Sequence, residues 1–445
     1  MNLYPTDKTA KVGQNLLWMV WSASISIANS ILLWAYFARM REVEEVGKFT
    51  IVMGIYTLFF GICSLGLIPF LVSEISRRSE QSAAKSEQNV ATFISTATVV
   101  LLISGIGCAV LMAVGGFFVS ASWSVRLSNL ILSLALIPTS LLAVGESTAI
   151  SFGQTRLIAI ATTLENLLRT IIPFALIWFG FDIWLICVSF VLVRVVALFI
   201  YFWAARHRLG FYNFNGDDLA KILRVVPTFG GTIILVSINW QAAIVLLGFF
   251  STEIESAKYG VASRFLLPVS ILMASYASVI QPIITQYAQN SMANAGFYLS
   301  KMLSYPLILA TLAAIISPFL SRQILTIFFG SKYADASTTL DVLAMSIVPF
   351  CVVMIVARGL VATNAQQIDL IANAVGVAVC LAGGLLLIPK YGAIGAATAQ
   401  LLSFLAMAVL ETVYLSRKIF SFRIWQQACL SSGFLLLIHL IIWKI

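Results

Sequence analysis

Seven charged side chains lie inside long apolar stretches of this sequence. The arginines are Arg169, Arg194, Arg264 and Arg358, and the glutamates are Glu146, Glu165 and Glu411. A charge at mid-bilayer depth costs upward of about 2.5 kcal/mol, so such residues usually face a bundle interior or water. Guanidinium groups present several hydrogen-bond donors to phosphate oxygens. The arginines therefore predict a cationic, hydrated cavity that binds a substrate with a negative head group.

The four arginines differ in their surroundings along the chain. Glu165 precedes Arg169 by four residues, so the two can pair along one helix face, either as a brace between helices or as part of the cavity. Arg194 has no local partner and is expected to line the cavity. Arg264 falls on a polar stripe of its helix. Arg358 is close to the end of its segment, where it could also extend to the interface.

The carboxylates suggest sites for a coupling ion. Glu146 and Glu411 lie near the ends of their apolar segments and, with Glu165, are candidates to bind H+ or Na+. None of these carboxylates inside the apolar segments is duplicated between the two halves of the chain, so the sequence does not specify the ion. Asp341 and Asp369 are predicted to be helix caps at segment edges. We expect neither a metal site nor a cofactor.

The overall composition is that of a polytopic membrane protein. Of the 445 residues, 60% are hydrophobic and only 10% are charged, with a mean hydropathy of +0.98. Soluble domains carry about 25% charged residues. At roughly 20 apolar residues per crossing, little chain is left for a separate catalytic or nucleic-acid-binding domain. The six cysteines all fall in apolar segments and are expected to be buried and unpaired.

Apolar runs between charged or Pro/Gly-marked breaks predict thirteen membrane-spanning helices. The N-terminal one is expected to be a retained helix and not a signal peptide. Lysine and arginine are more numerous in loops on the side of the N-terminus, which predicts a cytoplasmic N-terminus. The predicted spans are 13–38, 49–72, 91–119, 127–152, 157–179, 183–204, 225–250, 260–284, 303–320, 339–361, 368–388, 394–416 and 425–443.

The chain contains an internal repeat of six helices. Three pairs of segments match at a nearly constant offset: Glu45–Phe49 with Glu255–Tyr259, Phe152–Leu157 with Thr363–Ile368, and Phe179–Gly180 with Tyr391–Gly392. Because six is even, both halves enter the membrane from the same side. We predict an all-α membrane protein with two six-helix lobes (1–208 and 225–418), related by a pseudo-two-fold axis along the membrane normal. A cytoplasmic linker (209–224) joins the lobes, and an extra helix lies in 419–445.

Polar and hydroxyl residues form stripes on predicted helices 1, 2, 7 and 8, which are equivalent pairs in the repeat. Such stripes mark either tight helix packing or a wet face. Their occurrence on equivalent helices favours a cavity lined by these four helices. The candidate cavity residues are Asn15, Ser22, Ser26, Asn29, Thr57, Ser64, Thr232, Asn239, Ser275 and Ser278.

Two motifs resemble those of a known transporter family. Arg39–Phe49 (RMREVEEVGKF) is similar to the loop between the first two helices of bacterial polysaccharide flippases, although Glu42 and Val43 replace the usual Leu-Gly. Leu387–Ala399 (LIPKYGAIGAATA) resembles the signature that opens their twelfth helix, and Tyr259–Pro282 is similar to their eighth. The chain thus resembles the polysaccharide transporter (Wzx-like O-antigen flippase) family of the multidrug/oligosaccharidyl-lipid/polysaccharide (MOP) exporter superfamily.

This resemblance implies a flippase and not an enzyme. Members move undecaprenyl-diphosphate-linked oligosaccharide repeat units across the bacterial inner membrane by alternating access, for O-antigen in lipopolysaccharide or a related surface polysaccharide. A polysaccharide polymerase and a chain-length regulator are possible partners, and a nucleic acid is not. The family has no universal sugar-recognition motif, so no arginine is assigned by the resemblance. The alternatives are a cation-coupled multidrug exporter of the same superfamily and, less favoured, a membrane glycan polymerase.

Overall fold

The computed structural model describes residues 29–79, 83–120, 122–205 and 214–418, and every regular element within these ranges is a helix. The candidate residues Asn15, Ser22 and Ser26 lie outside the described residues. So does the predicted extra helix within 419–445.

The described helices follow one another with short connections. The first, α1, covers residues 29–40 of the described chain. The others are α2 (Val43–Cys63), α3 (Ile68–Ser79), α4 (Ala83–Val119), α5 (Trp123–Ser133), α6 (Leu136–Ser151), α7 (Thr155–Trp178), α8 (Ile183–Ala205), α9 (Gly216–Phe250), α10 (Glu253–Ser263), α11 (Leu266–Asn290), α12 (Met292–Phe329), α13 (Ser337–Ala362) and α14 (Gln366–Lys418), with a 3₁₀ helix at Ser331–Ala336.

The predicted spans agree with the observed helices. Ten stretches of the described chain are long and apolar enough to cross a membrane. The last of them, Gln366–Arg417, contains two predicted spans (368–388 and 394–416), because α14 continues through a kink at Gly392, where φ is 53°. Each predicted span from 49–72 to 394–416 therefore has its counterpart. The all-helical membrane fold is confirmed.

Three predicted single spans are interrupted four residues before a proline. The breaks lie at Leu65, Leu134 and Arg264, and the prolines are Pro69, Pro138 and Pro268. A proline ring clashes with the carbonyl four residues earlier and removes the hydrogen bond that this carbonyl would accept. The apolar runs continue across the breaks, which is why hydropathy alone predicts one helix at each place.

The described chain forms two compact units. The first comprises residues up to Arg41 and Val52–Ser237, and the second comprises Glu42–Ile51 and the chain from Ile238 onward. The division thus falls inside α9, at Ser237, whereas the sequence places it in a linker at 209–224. Residues 216–224 of that linker form the first turns of α9.

Each unit has its own apolar core. In the first unit the core includes Leu71, Phe93, Ile94, Leu101 and Ile222. In the second it includes Leu299, Leu303, Val348, Ile355 and Leu360. The described cysteines are buried and free, as predicted: Cys63, Cys108, Cys187, Cys351 and Cys380.

The two copies of one repeated segment, Phe152–Leu157 and Thr363–Ile368, adopt the same turn in their respective units. Gly153 (φ 68°) and Asn364 (φ 56°) both have left-handed backbones that end a helix. The amide after Gly153 donates to the carbonyl of Ala149, and the amide after Asn364 donates to the carbonyl of Leu360, both at 2.8 Å. This six-to-one bond is the Schellman helix ending. The match between segments is therefore one of backbone shape as well as of sequence.

The repeated segments Glu45–Phe49 and Glu255–Tyr259 both belong to the second unit, where their helices pack against each other. Glu42–Ile51, the start of α2, packs on α10 through two glycines. A Cβ atom on Gly47 would lie 1.7 Å from the carbonyl oxygen of Glu253, and one on Gly260 would lie 2.5 Å from the hydroxyl of Thr50. Only glycine permits helix backbones to approach this closely.

Candidate functional site

Three helices of the first unit contribute to one charged cluster. Each brings two side chains spaced four residues apart, which places both on the same helix face. We call this group the arginine cluster; its members are Tyr56 and Phe60 on α2, Glu165 and Arg169 on α7, and Phe190 and Arg194 on α8.

Two guanidinium groups share one carboxylate oxygen in the arginine cluster. Arg194 Nη1 forms an ion pair with Glu165 Oε1 at 2.8 Å, and Arg169 Nη1 lies 3.6 Å from the same oxygen. The predicted pair of Glu165 with Arg169 is confirmed. α8 offers Arg194 no acidic partner, as predicted from the sequence, but Glu165 on α7 supplies one across the helix interface. Arg194 is therefore not a free cation of its own.

Aromatic rings cover both guanidinium groups. Arg169 Cζ lies 5.0 Å from the ring centre of Phe190, and Arg194 Cζ lies 4.9 Å from that of Phe60. The Tyr56 hydroxyl is beside Arg194. A ring face attracts a cation and leaves the donors at the guanidinium edge available. Sequence reasoning missed all three aromatic residues, although their four-residue spacing was the available signal.

The two arginines differ in exposure. The side chain of Arg169 is 25% exposed and that of Arg194 is 10% exposed. Arg194 Nε is buried and has no hydrogen-bond acceptor among the described residues. A buried donor without an acceptor is unfavourable, so this atom favours the binding of an oxygen anion.

A fourth charged residue lies near the arginine cluster. Glu146 on α6 is half-buried and within electrostatic range of Arg194 and Glu165. The cluster without Glu146 carries two positive charges and one negative. With an ionised Glu146 the charges balance, and with a protonated one a net positive charge remains. The protonation of Glu146 therefore sets how strongly this site attracts an anion.

The second unit holds a separate charged group. Arg358 Nη1 on α13 donates to Gln281 Oε1 on α11 at 3.1 Å. Asp369 and Glu411, on the first and second parts of α14, both lie in the field of Arg358. The prediction of Asp369 as a helix cap missed this, because sequence spacing does not show that the start and end of α14 meet.

The remaining candidates occupy different places. Arg264 is half-buried at the break between α10 and α11. Three predicted polar-face residues are exposed and donate to a backbone carbonyl of their own helix: Thr57 to Met53 at 2.6 Å, Ser275 to Ile271 at 2.9 Å and Ser278 to Ser275 at 2.7 Å. Their hydroxyl oxygens remain able to accept hydrogen bonds. Ser64, Thr232 and Asn29 are half-buried.

Asn239 differs from the prediction of a wet helix face. It is 2% exposed, and its amide donates to Ser403 at 2.9 Å and accepts from Gln400 at 3.0 Å. Ser403 in turn donates to the carbonyl of Gly376 at 2.8 Å. The amide thus joins α9 to both parts of α14 inside the second unit, where a polar group must find internal partners.

The fold is that of transporters of known structure. A lipid II flippase, MurJ, in an inward closed conformation has a TM-score of 0.73 at 17% identity, with 96% of this chain and 92% of that chain covered. An inward-facing multidrug resistance MATE transporter of the MOP superfamily has a TM-score of 0.71 at 15% identity, with 89% and 98% covered. At such identities the likeness establishes the fold alone.

Sequence comparison gives the family. The probable low-salt glycan biosynthesis flippase Agl15 of Haloferax volcanii is 28% identical over 193 residues, which are 43% of this chain and 40% of that protein. The chain therefore matches less than half the length of this relative. The family model described as polysaccharide biosynthesis protein matches residues 12–288, which is more than half of the chain. The chain belongs to the polysaccharide biosynthesis protein family.

Proposed function

We propose that this protein is a flippase that moves a polyprenyl-diphosphate-linked oligosaccharide repeat unit across the bacterial inner membrane. The observation that carries the proposal is the pair of arginines held on one carboxylate oxygen at membrane depth. The family and the flippase names of its relatives point the same way. The repeat unit would serve O-antigen or a related surface polysaccharide.

The arginine cluster suits a diphosphate because its two guanidinium groups share the single carboxylate of Glu165, so some of their N–H donors are left for phosphate oxygens. Arg169 is the more exposed guanidinium, and Arg194 has an unused Nε. Phosphate oxygens can replace or join Glu165 as acceptors, since charge-assisted bonds from arginine to phosphate are strong and bidentate. In this proposal the prenyl chain stays in lipid, and exposed hydroxyls such as Thr57 contact the glycan.

Transport is proposed to follow alternating access, coupled to H+ or Na+. The N-terminus is proposed to face the cytoplasm, as the distribution of lysine and arginine predicts. A polysaccharide polymerase and a chain-length regulator are the proposed partners on the product side. None of these points depends on the arginine cluster, so each has its own test.

A multidrug exporter is the main competing function, since a MATE transporter has nearly the same TM-score as MurJ. A site for cationic drugs needs an excess of acidic groups. The arginine cluster has two guanidinium groups against Glu165 and Glu146. It has no acidic excess in any protonation state, which favours the anionic cargo.

Reconstitution separates the two functions. The purified protein is placed in liposomes with a fluorescent polyprenyl-diphosphate-linked disaccharide, and a membrane-impermeant quencher reports how much label reaches each leaflet. The proposal predicts that label in the inner leaflet becomes accessible only when the protein is present. Uptake of a cationic dye without movement of the labelled lipid would establish the exporter and overturn the flippase. Protein-free liposomes and liposomes with an unrelated polytopic protein are the controls.

A further inference from the structure

Two carboxyl groups of the second unit meet at one end of α14. Asp369 lies in the first turn of this helix and Glu411 lies near its last turns. Because α14 reverses direction at the Gly392 kink, its beginning and its end lie side by side. Glu411 is completely buried. Neither oxygen of its carboxyl group receives a hydrogen bond from an amide, hydroxyl or guanidinium donor among the described residues, and the group within hydrogen-bond range is the Asp369 carboxyl. A buried carboxylate without donors is strongly unfavourable, so this group needs a bound cation or proton.

The neighbours of Glu411 narrow the choice of cation. The Asp369 carboxyl faces it from the first part of α14, and Arg358 faces both from α13. Asn373 already donates to Asp369 Oδ1 at 3.1 Å. A Ca²⁺ ion takes six to eight oxygen ligands, far more than this group provides. A proton requires only the two facing carboxyl groups.

The charge count favours one proton. Two ionised carboxylates against Arg358 leave one excess negative charge in a buried place. Two carboxyl groups that share a site do not readily ionise together, and they titrate as a pair. One proton held between Asp369 and Glu411 makes the group of three neutral. Among the described residues, these are the charged groups that act on Glu411.

We propose that Asp369 and Glu411 together bind the single proton that is exchanged during transport. The inference rests on the proposed function for its role in coupling, but the binding of the proton does not.

Arg358 provides the link from this proton to the helices. Its guanidinium bonds to Gln281 on α11 at 3.1 Å, and its Nε has no acceptor among the described residues. When the proton leaves, the paired carboxylates attract the guanidinium and compete with Gln281 for it. Because Gln281 is on α11, loss of its bond removes this polar link between α11 and α13, while their apolar packing remains. This helix also presents Ser275 and Ser278, which are exposed.

Infrared difference spectroscopy tests the proton directly and needs no substrate. The purified protein in lipid is titrated with acid and base, and the carbonyl stretch of protonated carboxyl groups is recorded. Wild type should show such a band at neutral pH, and both Glu411→Gln and Asp369→Asn should lose it. Glu44→Gln, which removes an exposed carboxylate paired with Lys48, is the control and should keep it. A wild-type spectrum without the band, or a band whose intensity is the same in wild type and in both variants, would overturn the inference; a protonated Glu146 contributes equally to all three spectra and cancels in the difference.

A pH gradient tests the coupling. The labelled polyprenyl-diphosphate disaccharide is followed in liposomes with the membrane potential clamped to zero. With one proton per substrate, each unit of pH gradient should change the equilibrium ratio between leaflets about tenfold. Glu411→Gln should leave a ratio that does not depend on the gradient, whatever its rate. A gradient-dependent ratio in Glu411→Gln would contradict the coupling role.

The two experiments fail in different ways. If wild type moves the labelled lipid but shows no band lost in the variants, the proton site is wrong and the flippase stands. If the band behaves as expected but no lipid moves, the proposed function is wrong and the proton site stands. If a Na+ gradient and not a pH gradient shifts the leaflet ratio, the site does not bind the exchanged proton.

Discussion

Arg194 Nη1 on α8 pairs with Glu165 Oε1 on α7 at 2.8 Å, and the same oxygen also faces Arg169 Nη1 at 3.6 Å. One carboxylate thus holds two guanidinium groups in place without neutralising both. Removing one partner of a buried ion pair typically costs about 3–5 kcal/mol, because the other charge remains buried. This arrangement explains how arginines can be kept in the membrane and still accept an anion.

Glu165→Gln should destabilise the protein in a way that an added anion repairs. The variant leaves both guanidinium groups without their shared carboxylate, so its melting temperature should be lower than that of wild type. Inorganic diphosphate should raise the melting temperature of the variant more than that of wild type, because it replaces the lost charge. Thermal unfolding in lipid nanodiscs measures both. An equal response of the two proteins would show that diphosphate does not reach this site.

Glu146→Gln should strengthen anion binding. The change removes the second carboxylate near Arg194, which leaves a fixed net positive charge in the arginine cluster. The affinity for inorganic diphosphate should rise by up to about tenfold and should depend less on pH than in wild type. Calorimetric titration measures both quantities. Glu253→Gln, which removes a carboxylate from the first turn of α10, is the control; a similar gain there would mean a general charge effect.

Phe60→Leu should weaken the support of Arg194. The ring centre lies 4.9 Å from Arg194 Cζ, and a cation–π contact is worth about 0.5–2 kcal/mol. Phe118→Leu is the matched control, since that ring is 75% exposed. Chemical unfolding in detergent should show a lower midpoint for Phe60→Leu than for Phe118→Leu. Identical midpoints would mean that the ring does not stabilise the guanidinium.

Gly47→Ala should disrupt the second unit, whereas Gly107→Ala should not. A Cβ on Gly47 would lie 1.7 Å from the Glu253 carbonyl oxygen, and one on Gly107 has nothing within 4 Å. Alanine at an open helical position is better than glycine by about 1 kcal/mol. Thermal unfolding should therefore move in opposite directions for the two variants. A tolerated Gly47→Ala would contradict the close approach of α2 and α10.

Substitutions of Gly153 and Gly392 distinguish the cost of backbone strain from the cost of a steric clash. Gly153 has φ 68° with open space around it, so Gly153→Ala should cost about 1–2 kcal/mol from backbone strain alone. Gly392 has φ 53°, and a Cβ there would lie 2.5 Å from a Glu255 oxygen. Glu255 also accepts a hydrogen bond from the Ala393 amide at 2.9 Å. The free energy of unfolding should fall more for Gly392→Ala; a smaller loss there would show that Glu255 can move away freely.

The spans were predictable because the pattern that defines them is local. An apolar run of membrane length is enough by itself to predict a helix, and predicted spans such as 91–119 and 183–204 agree with α4 and α8. The breaks at Leu134 and Arg264 also have a local signal in the sequence, because a proline follows each of them by four residues. The two turns at Gly153 and Asn364 followed from the internal repeat.

The charged sites were predictable only in part, since their partners come from other helices. The ion pair of Glu165 with Arg169 depends on a four-residue spacing and was predicted, whereas the shorter contact with Arg194 crosses between α7 and α8. Asn239 was assigned to a wet face because it lies on a polar stripe of one of the four helices that are equivalent in the repeat. Its true partners, Gln400 and Ser403, lie far along the chain, and no periodicity reports such a contact.

Substitution of Arg169 and Arg194 tests most directly whether the arginine cluster binds the diphosphate of the cargo. Movement of a fluorescent polyprenyl-diphosphate-linked disaccharide is measured in liposomes with wild type, Arg169→Gln/Arg194→Gln, Arg169→Lys/Arg194→Lys and the exposed-site control Lys221→Gln. We expect the rate of movement to fall by at least about a hundredfold in the glutamine variant, since two charge-assisted bonds of about 1.5–3 kcal/mol each are removed. The lysine variant should recover part of this rate, and the control should not change it. Movement of the lipid at the wild-type rate in the folded glutamine variant would show that the two arginines do not bind the cargo.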